Sequence, residues 1–219
     1  MLRICDLFDL SHTLAADYLS AFTYPYEALK GIKDVIAEIG AALPKELYTE
    51  TAPHVWVAKS AKVMPSAYLG EYTIVGEETE VRHCAFVRGA ALIGNGCVVG
   101  NSTEIKNAIV FDGVQIPHYN YVGDSILGNH AHLGAGAICS NLKADKTNIV
   151  IHAEKEIETG LRKIGAILAD GADIGCGCVL NPGTVIGKNT RVYPLISLRG
   201  VISEYMIVKS ANHAVSQRQ

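Results

Sequence analysis

The stretch "VGEETEVRHCAFVRGAALIGNGCVVGNSTEI", residues 75–105, carries a branched aliphatic residue at every sixth position. The spacing continues on both sides of this stretch. Ten consecutive positions in one phase are Val57, Val63, Leu69, Val75, Val81, Val87, Ile93, Val99, Ile105 and Phe111. Internal repetition at a fixed period is typical of solenoid proteins. Each six-residue unit therefore predicts a short strand followed by a corner, with its aliphatic side chain pointing inward.

Two further features accompany the aliphatic positions. Four residues after each of them the side chain is usually small, as at Ala61, Ala67, Thr73, Thr79, Ala85, Ala91, Cys97 and Thr103. Glycine often follows the aliphatic residue directly, at Gly70, Gly76, Gly94 and Gly100. We expect glycine there because it adopts backbone angles that other residues resist. Three such units form one triangular coil, and successive coils stack as parallel strands at roughly 4.8 Å.

The period returns twice later in the chain, each time in a new phase. Leu127 and Leu133 keep it briefly, and a longer run follows at Leu168, Ile174, Leu180, Ile186 and Val192. Cys178 occupies a small-residue position of that run, which favours a wall residue over a metal ligand. The sequence therefore predicts an all-β solenoid over residues 51–194. A C-terminal strand or extension covers residues 195–219.

An N-terminal helical cap is predicted over residues 1–50. Apolar residues at helical spacing lie between Pro25 and Pro44, namely Leu29, Ile32, Ile36, Ile39 and Leu43. Proline suits a helix start and marks its end. Since each coil buries only its inner face, a stack of coils needs caps.

Composition excludes several classes of partner. The net charge of −3 over 219 residues gives no reason to expect nucleic acid or an anionic membrane. No long, uninterrupted apolar run predicts a membrane span, and the N-terminus lacks a signal-peptide core. The six cysteines show no disulfide or zinc spacing, so reduced thiols and a cytoplasmic location are expected.

The first phase predicts an aliphatic residue at position 117 but meets Pro117, within "IPHYNYVGD" at residues 116–124. His118 and Tyr121 follow directly. Arg88 and Lys106 take glycine positions separated by three hexads, so they are expected to stack one coil apart. Two stacked cations repel unless an anion lies near them, which indicates an anionic ligand. The alternative for the two cations is a pair of solvated charges on an outer wall.

Two segments carry a resemblance to a known family. They are "RGAALIGNGCVVGNSTEIKNAIV" (88–110) and "IPHYNYVGDSILGNHAHLGAGAICSN" (116–141). The shared motif is an Arg, a Lys three hexads later, a His two hexads further on, then x-x-Tyr-[LV]-Gly-Asp and Gly-Ala-Gly. It resembles the acetyltransferase half of bacterial N-acetylglucosamine-1-phosphate uridyltransferase/glucosamine-1-phosphate acetyltransferases and of archaeal relatives. The resemblance covers residues 75–190 well, and it implies a left-handed parallel β-helix of hexapeptide repeats.

The resemblance also implies a function and site residues. The function is acetyl-CoA-dependent N-acetylation of an amino-sugar phosphate, with glucosamine-1-phosphate as the first acceptor to try. His118 would be the general base, and the backbone N–H of Ala135 would stabilise the oxyanion. Substrate-binding residues would be Arg88, Lys106, Tyr121, His132, Asn141 and Lys146. Acetyl-CoA would lie between subunits of a homotrimer, against Ala135, Arg162 and Lys163.

Some features depart from the family pattern. His132 stands where the family commonly has Asn, and no nucleotidyl half is present, so no nucleotidyltransferase activity is expected from this chain alone. A second hypothesis is therefore a non-catalytic trimeric module that binds sugar nucleotides or regulates an enzyme. The histidines at 118, 130 and 132 lack the spacing of related zinc enzymes, so no metal is expected.

Overall fold

Residues 2–216 are described by a computed structural model of the chain. The N-terminal segment holds three α-helices, α1 Ile4–Leu7, α2 Ala16–Ser20 and α3 Ile32–Ala42. Two 3₁₀ helices, Leu10–His12 and Pro25–Gly31, lie between them. The predicted helical segment between Pro25 and Pro44 is thus present, with its first two turns wound as 3₁₀ helix.

Twenty-four short strands follow within the described part of the chain. The first twelve are β1 Tyr48–Ala52, β2 Val55–Ala58, β3 Lys62–Val63, β4 Tyr68–Leu69, β5 Thr73–Val75, β6 Glu80–Val81, β7 Phe86–Ile93, β8 Val98–Asn101, β9 Glu104–Val110, β10 Gln115–His118, β11 Tyr121–Leu127 and β12 His132–Leu133. The others are β13 Ile138–Cys139, β14 Val150–His152, β15 Glu156–Glu158, β16 Ala166–Leu168, β17 Asp173–Ile174, β18 Val179–Leu180, β19 Thr184–Ile186, β20 Arg191–Val192, β21 Ser197–Leu198, β22 Val201–Ile202, β23 Met206–Ser210 and β24 His213–Ser216.

The strands stack into three parallel ladders, which confirms the predicted parallel β-solenoid. Wall A contains β2, β5, β16, β19 and β22, with the C-terminal parts of β7, β9 and β11. Wall B contains β3, β6, β8, β10, β12, β17, β20 and β23. Wall C contains β4, β13, β18 and β21, with the N-terminal parts of β7, β9 and β11.

Wall A is buried on both of its sides. Its inward side chains join the solenoid core, and its outward ones join a second core beneath the N-terminal segment. These outward residues are Ile74, Leu92, Ile109, Ile126, Ile167 and Val185. The N-terminal segment therefore covers a side of the prism, where α3 packs against β5, β7 and β9, rather than only one of its ends. The expectation that each coil buries only its inner face was wrong for this wall, because strands that are apolar on both faces require a layer over each.

The aliphatic phase shifts earlier than the sequence suggested. Ile93 pairs with Val110, one position short of a full coil, so Val110 takes the inward position. Phe111 instead lies in the second core, 5.1 Å from the Phe8 ring between centroids. Ile116 continues the inward row, and Pro117 lies beside it on β10. The predicted break at Pro117 is therefore wrong; the one-residue shift lies between Ile105 and Val110.

The repeated glycines have a different role from the one expected. A Cβ atom at Gly70, Gly94 or Gly100 would collide with the backbone of the next coil. The left-handed backbone angles lie instead at the corners, at residues such as Cys84, Asn107 and Asp124. Glycine therefore serves close stacking between coils, and the corners accept several residue types.

Gly100 provides the first testable consequence. In Gly100→Ala the new methyl group would overlap the Pro117 carbonyl, whose backbone cannot swing away. We expect the free energy of unfolding to fall by about 3 kcal/mol, as measured by denaturant titration. Gly96→Ala is the matched control: Gly96 has a φ of +62° with open space around it, so only left-handed strain of about 1 kcal/mol is expected. Equal losses in both variants would contradict the stacking argument.

The solenoid continues beyond residue 194, where the sequence analysis ended it. Strands β21, β22 and β23 extend the parallel ladders, and β24 then pairs antiparallel to β23. The six-residue period fades there because Arg191 pairs with Ile207, two positions short of a full coil. Within residues 2–216, no helix combines the length and the apolar character needed to cross a bilayer.

Three of the cysteines belong to the solenoid core. Cys97, Cys139 and Cys178 are buried, which confirms Cys178 as a wall residue. Burial raises the pKa of the Cys97 and Cys139 thiols to about 12, so they stay protonated near neutral pH.

Candidate functional site

One long segment leaves the solenoid at the corner where wall C turns into wall A. It runs from Asn141 to Gly165 between β13 and β16 and carries the antiparallel pair β14–β15. We call it the extruded loop. The polar, turn-rich stretch "SNLKADKTN" at residues 140–148 predicts a loop, and it covers only the first part of this segment. Its departure opens space at the C–A corner, next to the coils that carry Lys106 and Asp124.

Asp124 is the central acceptor of the C–A corner. Its carboxylate is 3.2 Å from the Lys106 ammonium and accepts a 2.9 Å hydrogen bond from the Asn107 amide. The Asn141 amide donates to its other oxygen. Asp124 is only 5% exposed, at a φ of 49° that its short polar side chain tolerates. Four side chains from successive coils and from the extruded loop therefore form one charged, hydrogen-bonded cluster.

Arg88 lies on wall C and does not stack on Lys106. Its guanidinium donates to the Glu104 carboxylate at 2.9 Å. A register shift between Val87 and Gly89 places Gly89, rather than Arg88, opposite Lys106. The predicted stacked pair of cations is thus wrong, because the bulge displaces Arg88 from the ladder position. Arg88 is paired with Glu104 and Lys106 with Asp124, so the spacing of the two cations does not by itself require an anionic ligand.

Tyr121 lies between these two ion pairs. Burial is the main cause that raises the pKa of its phenol, and the Asp124 and Glu104 carboxylates add to the rise. A hydrogen bond with Asn141 and the Arg88 charge act in the opposite direction on this pKa. The phenol is therefore neutral at physiological pH and can donate a hydrogen bond to a ligand oxygen.

His118 and Ala135 meet at the other edge of wall C, at the corner with wall B. His118 ends β10 with an exposed side chain, and its carbonyl accepts from the Gly136 N–H at 2.9 Å. Ala135 is exposed in the next coil, and its carbonyl accepts from the Gly177 N–H at 2.8 Å. The Ala135 N–H finds no acceptor among residues 2–216. The histidine and the open backbone donor thus lie on neighbouring coils at the same corner.

His132 has an acidic partner that the sequence analysis missed. Its Nδ1 atom is 2.8 Å from the Asp173 carboxylate, and the two residues pair in register between β12 and β17. Both side chains are nearly half exposed. The intervening extruded loop separates them by 41 residues in sequence, so no repeat spacing pointed to the pair.

Lys146, Arg162 and Lys163 line one cavity of about 600 Å³. The remaining lining residues are Leu29, Lys30, Asn107, Asp124, Leu142 and Leu161. From the sequence, Lys146 was expected to bind the sugar substrate, and Arg162 and Lys163 were expected to bind acetyl-CoA. The structure brings all three to the same cavity. Lys30 reaches it from the N-terminal segment, and no motif in the sequence indicated this.

Apart from Arg88 on wall C and His132 on wall B, the predicted site residues thus fall into two groups at the two edges of wall C. Lys106, Tyr121, Asn141 and the cavity residues gather at the C–A corner, while His118 and Ala135 share the B–C corner. Within residues 2–216, no hydrogen bond or ion pair joins His118 to Arg88, Lys106 or Tyr121. Convergence of all of them on one acceptor stays a prediction. Among the described residues 2–216, no group of three or more His, Cys, Asp or Glu is arranged to hold a metal ion.

Comparison with known families gives a partial match. The sequence model of the family described as "GMPPB C-terminal domain" matches residues 75–160, which include Lys106, His118, Asp124 and Ala135 and most of the extruded loop. The chain is also 30% identical over 131 residues to a bifunctional sugar-1-phosphate nucleotidylyltransferase/acetyltransferase of Sulfurisphaera tokodaii. It is 36% identical over 89 residues to the bifunctional protein GlmU of Methanococcus maripaludis strain C5.

These matches cover part of each protein. They include 59% and 41% of this chain, respectively, but the chain spans only 28% and 22% of the length of the two relatives. The resemblance to nucleotidylyltransferase/acetyltransferase proteins stated from the sequence is therefore confirmed, for a portion of their length.

Two solved structures are also similar. The acetyltransferase domain of PglB from Neisseria gonorrhoeae, in complex with acetyl coenzyme A, has 18% identity and a TM-score of 0.34 over 85% of this chain and 67% of that one. The UDP-N-acetylglucosamine O-acyltransferase of Moraxella catarrhalis has 15% identity and a TM-score of 0.46 over 74% of this chain and 72% of that one.

Proposed function

We propose that this chain is an acetyl-CoA-dependent N-acetyltransferase acting on an amino-sugar phosphate, with glucosamine-1-phosphate as the first acceptor to test. One observation carries the proposal: within the matched segment, the exposed residue His118 lies one coil from Ala135, whose N–H has no acceptor among residues 2–216. Acyl transfer to an amine needs a base and a donor for the developing oxyanion, and these two groups supply both.

The reaction balances without a covalent enzyme intermediate. The neutral amine of the substrate attacks the thioester carbonyl carbon, and His118 takes the proton that the nitrogen loses as the carbon–nitrogen bond forms. The Ala135 N–H donates to the oxygen as it becomes negative. Collapse of the tetrahedral intermediate breaks the carbon–sulfur bond, and the leaving thiolate receives a proton from the imidazolium. Amide and coenzyme A are the products.

The C–A corner supports recognition of the phosphorylated sugar. Arg88 uses one guanidinium nitrogen for Glu104, and its side chain is 47% exposed, so further N–H donors stay available for a phosphate. Lys106 and Asn141 are held by Asp124, and Tyr121 contributes a neutral hydroxyl. The Arg88 and Lys106 ion pairs would orient the two cations and would not have to break when substrate binds.

A homotrimer is the proposed form of the active protein. Wall A is covered, whereas wall C presents outward apolar side chains of Tyr68, Phe86 and Val179 that are 58%, 42% and 37% exposed. Burying such a row between chains would be favourable. It would also bring the B–C corner of one chain near another chain and complete a site that a single chain leaves divided.

The test follows release of the coenzyme A thiol with purified protein, acetyl-CoA and glucosamine-1-phosphate. N-acetylglucosamine-1-phosphate is the negative control, because it has the same phosphate but no free amine. Thiol release that requires the amine supports the proposal. Absence of turnover with every amino-sugar phosphate, together with no effect of a His118 substitution on any measured property, would refute it.

A non-catalytic binding module is the second candidate. The observation that favours it is that Arg88 and Lys106 are paired with carboxylates of the same chain. Such pairing is also found for cations whose role is only structural. Calorimetry separates the two functions. A binding module would take up a sugar nucleotide and show no affinity for acetyl-CoA, whereas the transferase binds acetyl-CoA and an amino-sugar phosphate.

A further inference from the structure

The cavity at the C–A corner is formed by three separate parts of the chain. Lys30 and Leu29 come from the N-terminal segment, Asn107 and Asp124 from the solenoid, and Lys146, Arg162 and Lys163 from the extruded loop. Its volume of about 600 Å³ is typical of sites for small molecules, which occupy roughly 300–1,000 Å³. The cavity is thus large enough for a nucleotide-sized ligand.

The position of the N-terminal segment over this cavity is fixed by packing. Leu29 is only 3% exposed, and its carbonyl accepts a 3.2 Å hydrogen bond from the Asn107 amide. The same amide also donates to Asp124. Asn107 therefore ties the 3₁₀ helix Pro25–Gly31 to the Asp124 cluster, and Lys30 is held at the rim of the cavity.

The charges around the cavity are strongly unbalanced. Lys30, Lys146, Arg162 and Lys163 form no ion pair with a carboxylate within residues 2–216. The carboxylate that lines the cavity, Asp124, is already engaged by Lys106 and by the Asn107 and Asn141 amides. In the adjacent crevice, the Glu27 carboxylate accepts from the backbone N–H groups of Thr23 and Tyr24.

Four cations gathered without counter-charges are unfavourable unless an anion joins them. The cations arise from the N-terminal segment on one side and from the extruded loop on the other. A single phosphate presents its oxygens from one small tetrahedron, whereas a diphosphate presents two groups that can contact both sides. Leu142 and Leu161 add apolar surface for the rest of the ligand.

We propose that this cavity binds the diphosphate of a nucleotide ligand, with Lys30 of the N-terminal segment and Lys163 of the extruded loop contacting its phosphates. A nucleotide sugar and coenzyme A share this diphosphate chemistry. The proposal extends the proposed function by adding a ligand class and by giving the N-terminal segment a role in binding. It rests on the cavity and its charges, and it does not depend on acetyl transfer.

Calorimetry at low salt on the full chain tests the proposal. The probes are inorganic phosphate, inorganic pyrophosphate, UDP and coenzyme A. The variants are Lys30→Gln and Lys163→Gln, and the matched control is Lys209→Gln, an exposed lysine on β23 that does not line the cavity. We expect pyrophosphate and at least one of the two nucleotides to bind, and each cavity variant to weaken that binding about tenfold, since charge-assisted contacts to phosphate are strong.

The outcomes separate the ligand sources and the competing explanations. If a cavity variant weakens the binding of UDP, the ligand is identified as a nucleoside diphosphate. If it weakens only the binding of coenzyme A, the ligand is identified as the co-substrate. Equal affinity for phosphate and pyrophosphate, or equal behaviour of the cavity and control variants, would overturn the proposal. Absence of binding by every probe would do the same. His118→Ala should leave this binding unchanged, so failure of acetyl transfer and failure of the diphosphate site are distinguishable.

Discussion

Acetyl transfer is expected to slow by about 100- to 10,000-fold when His118 is replaced with Ala, the usual contribution of a general base. The side chain is exposed at the end of β10, so its removal leaves no cavity in the core. The affinity for acetyl-CoA and the thermal midpoint of unfolding should therefore stay close to the parent values. The measurement is the steady-state rate of thiol release at saturating acceptor, with a melting curve of each protein.

His130→Asn is the matched control for this experiment. His130 is another exposed histidine of the matched segment, but it lies at the corner between walls A and B, at a φ of 54° that Asn also adopts. Its substitution should leave the rate within about twofold, as is usual for surface changes away from a site. Equal slowing in both variants, or no slowing in His118→Ala, would remove His118 from the role of base.

The fold was predictable from the sequence up to Ile105, because each hexad there places its aliphatic residue in the solenoid core at a constant six-residue spacing. The prediction failed at Phe111 because Ile109, Val110 and Phe111 are all apolar, and wall A buries both of its sides. A run of apolar residues does not reveal which of them faces inward when two cores compete for them. The three-residue apolar runs on wall A did indicate that this wall is buried on both sides, since a wall buried on one side would alternate apolar and polar residues.

The candidate site was predictable as a set of positions but not as a set of contacts. Asp124 lies one full coil after Lys106, and this spacing could have identified it as the acceptor of the Lys106 ammonium. The Arg88–Glu104 pair was harder to predict, because it depends on a bulge for which the sequence contains no signal. Lys30 could not be placed, since docking of the N-terminal segment depends on the shape of a surface formed by distant residues.

Loss of the Asp124 carboxylate should be the most damaging single change to the C–A corner. In Asp124→Ala the ammonium of Lys106, a residue whose side chain is 21% exposed, loses its counter-charge, and the Asn107 and Asn141 amides lose an acceptor. Removing one partner of a buried ion pair leaves an uncompensated charge, which costs about 3–5 kcal/mol. We expect the free energy of unfolding to fall by that amount, measured from the midpoint and slope of denaturant titration.

The double variant Lys106→Met/Asp124→Ala tests this reason for the loss. With the ammonium also removed, no charge is left unpaired, so the double variant should be more stable than Asp124→Ala alone. Asp145→Ala, at an exposed carboxylate in the extruded loop, is the control and should change stability little. If Asp124→Ala unfolded at the same denaturant concentration as the parent, the Asp124 cluster would not hold the corner together. The N-terminal segment would then have to be positioned by its apolar core alone.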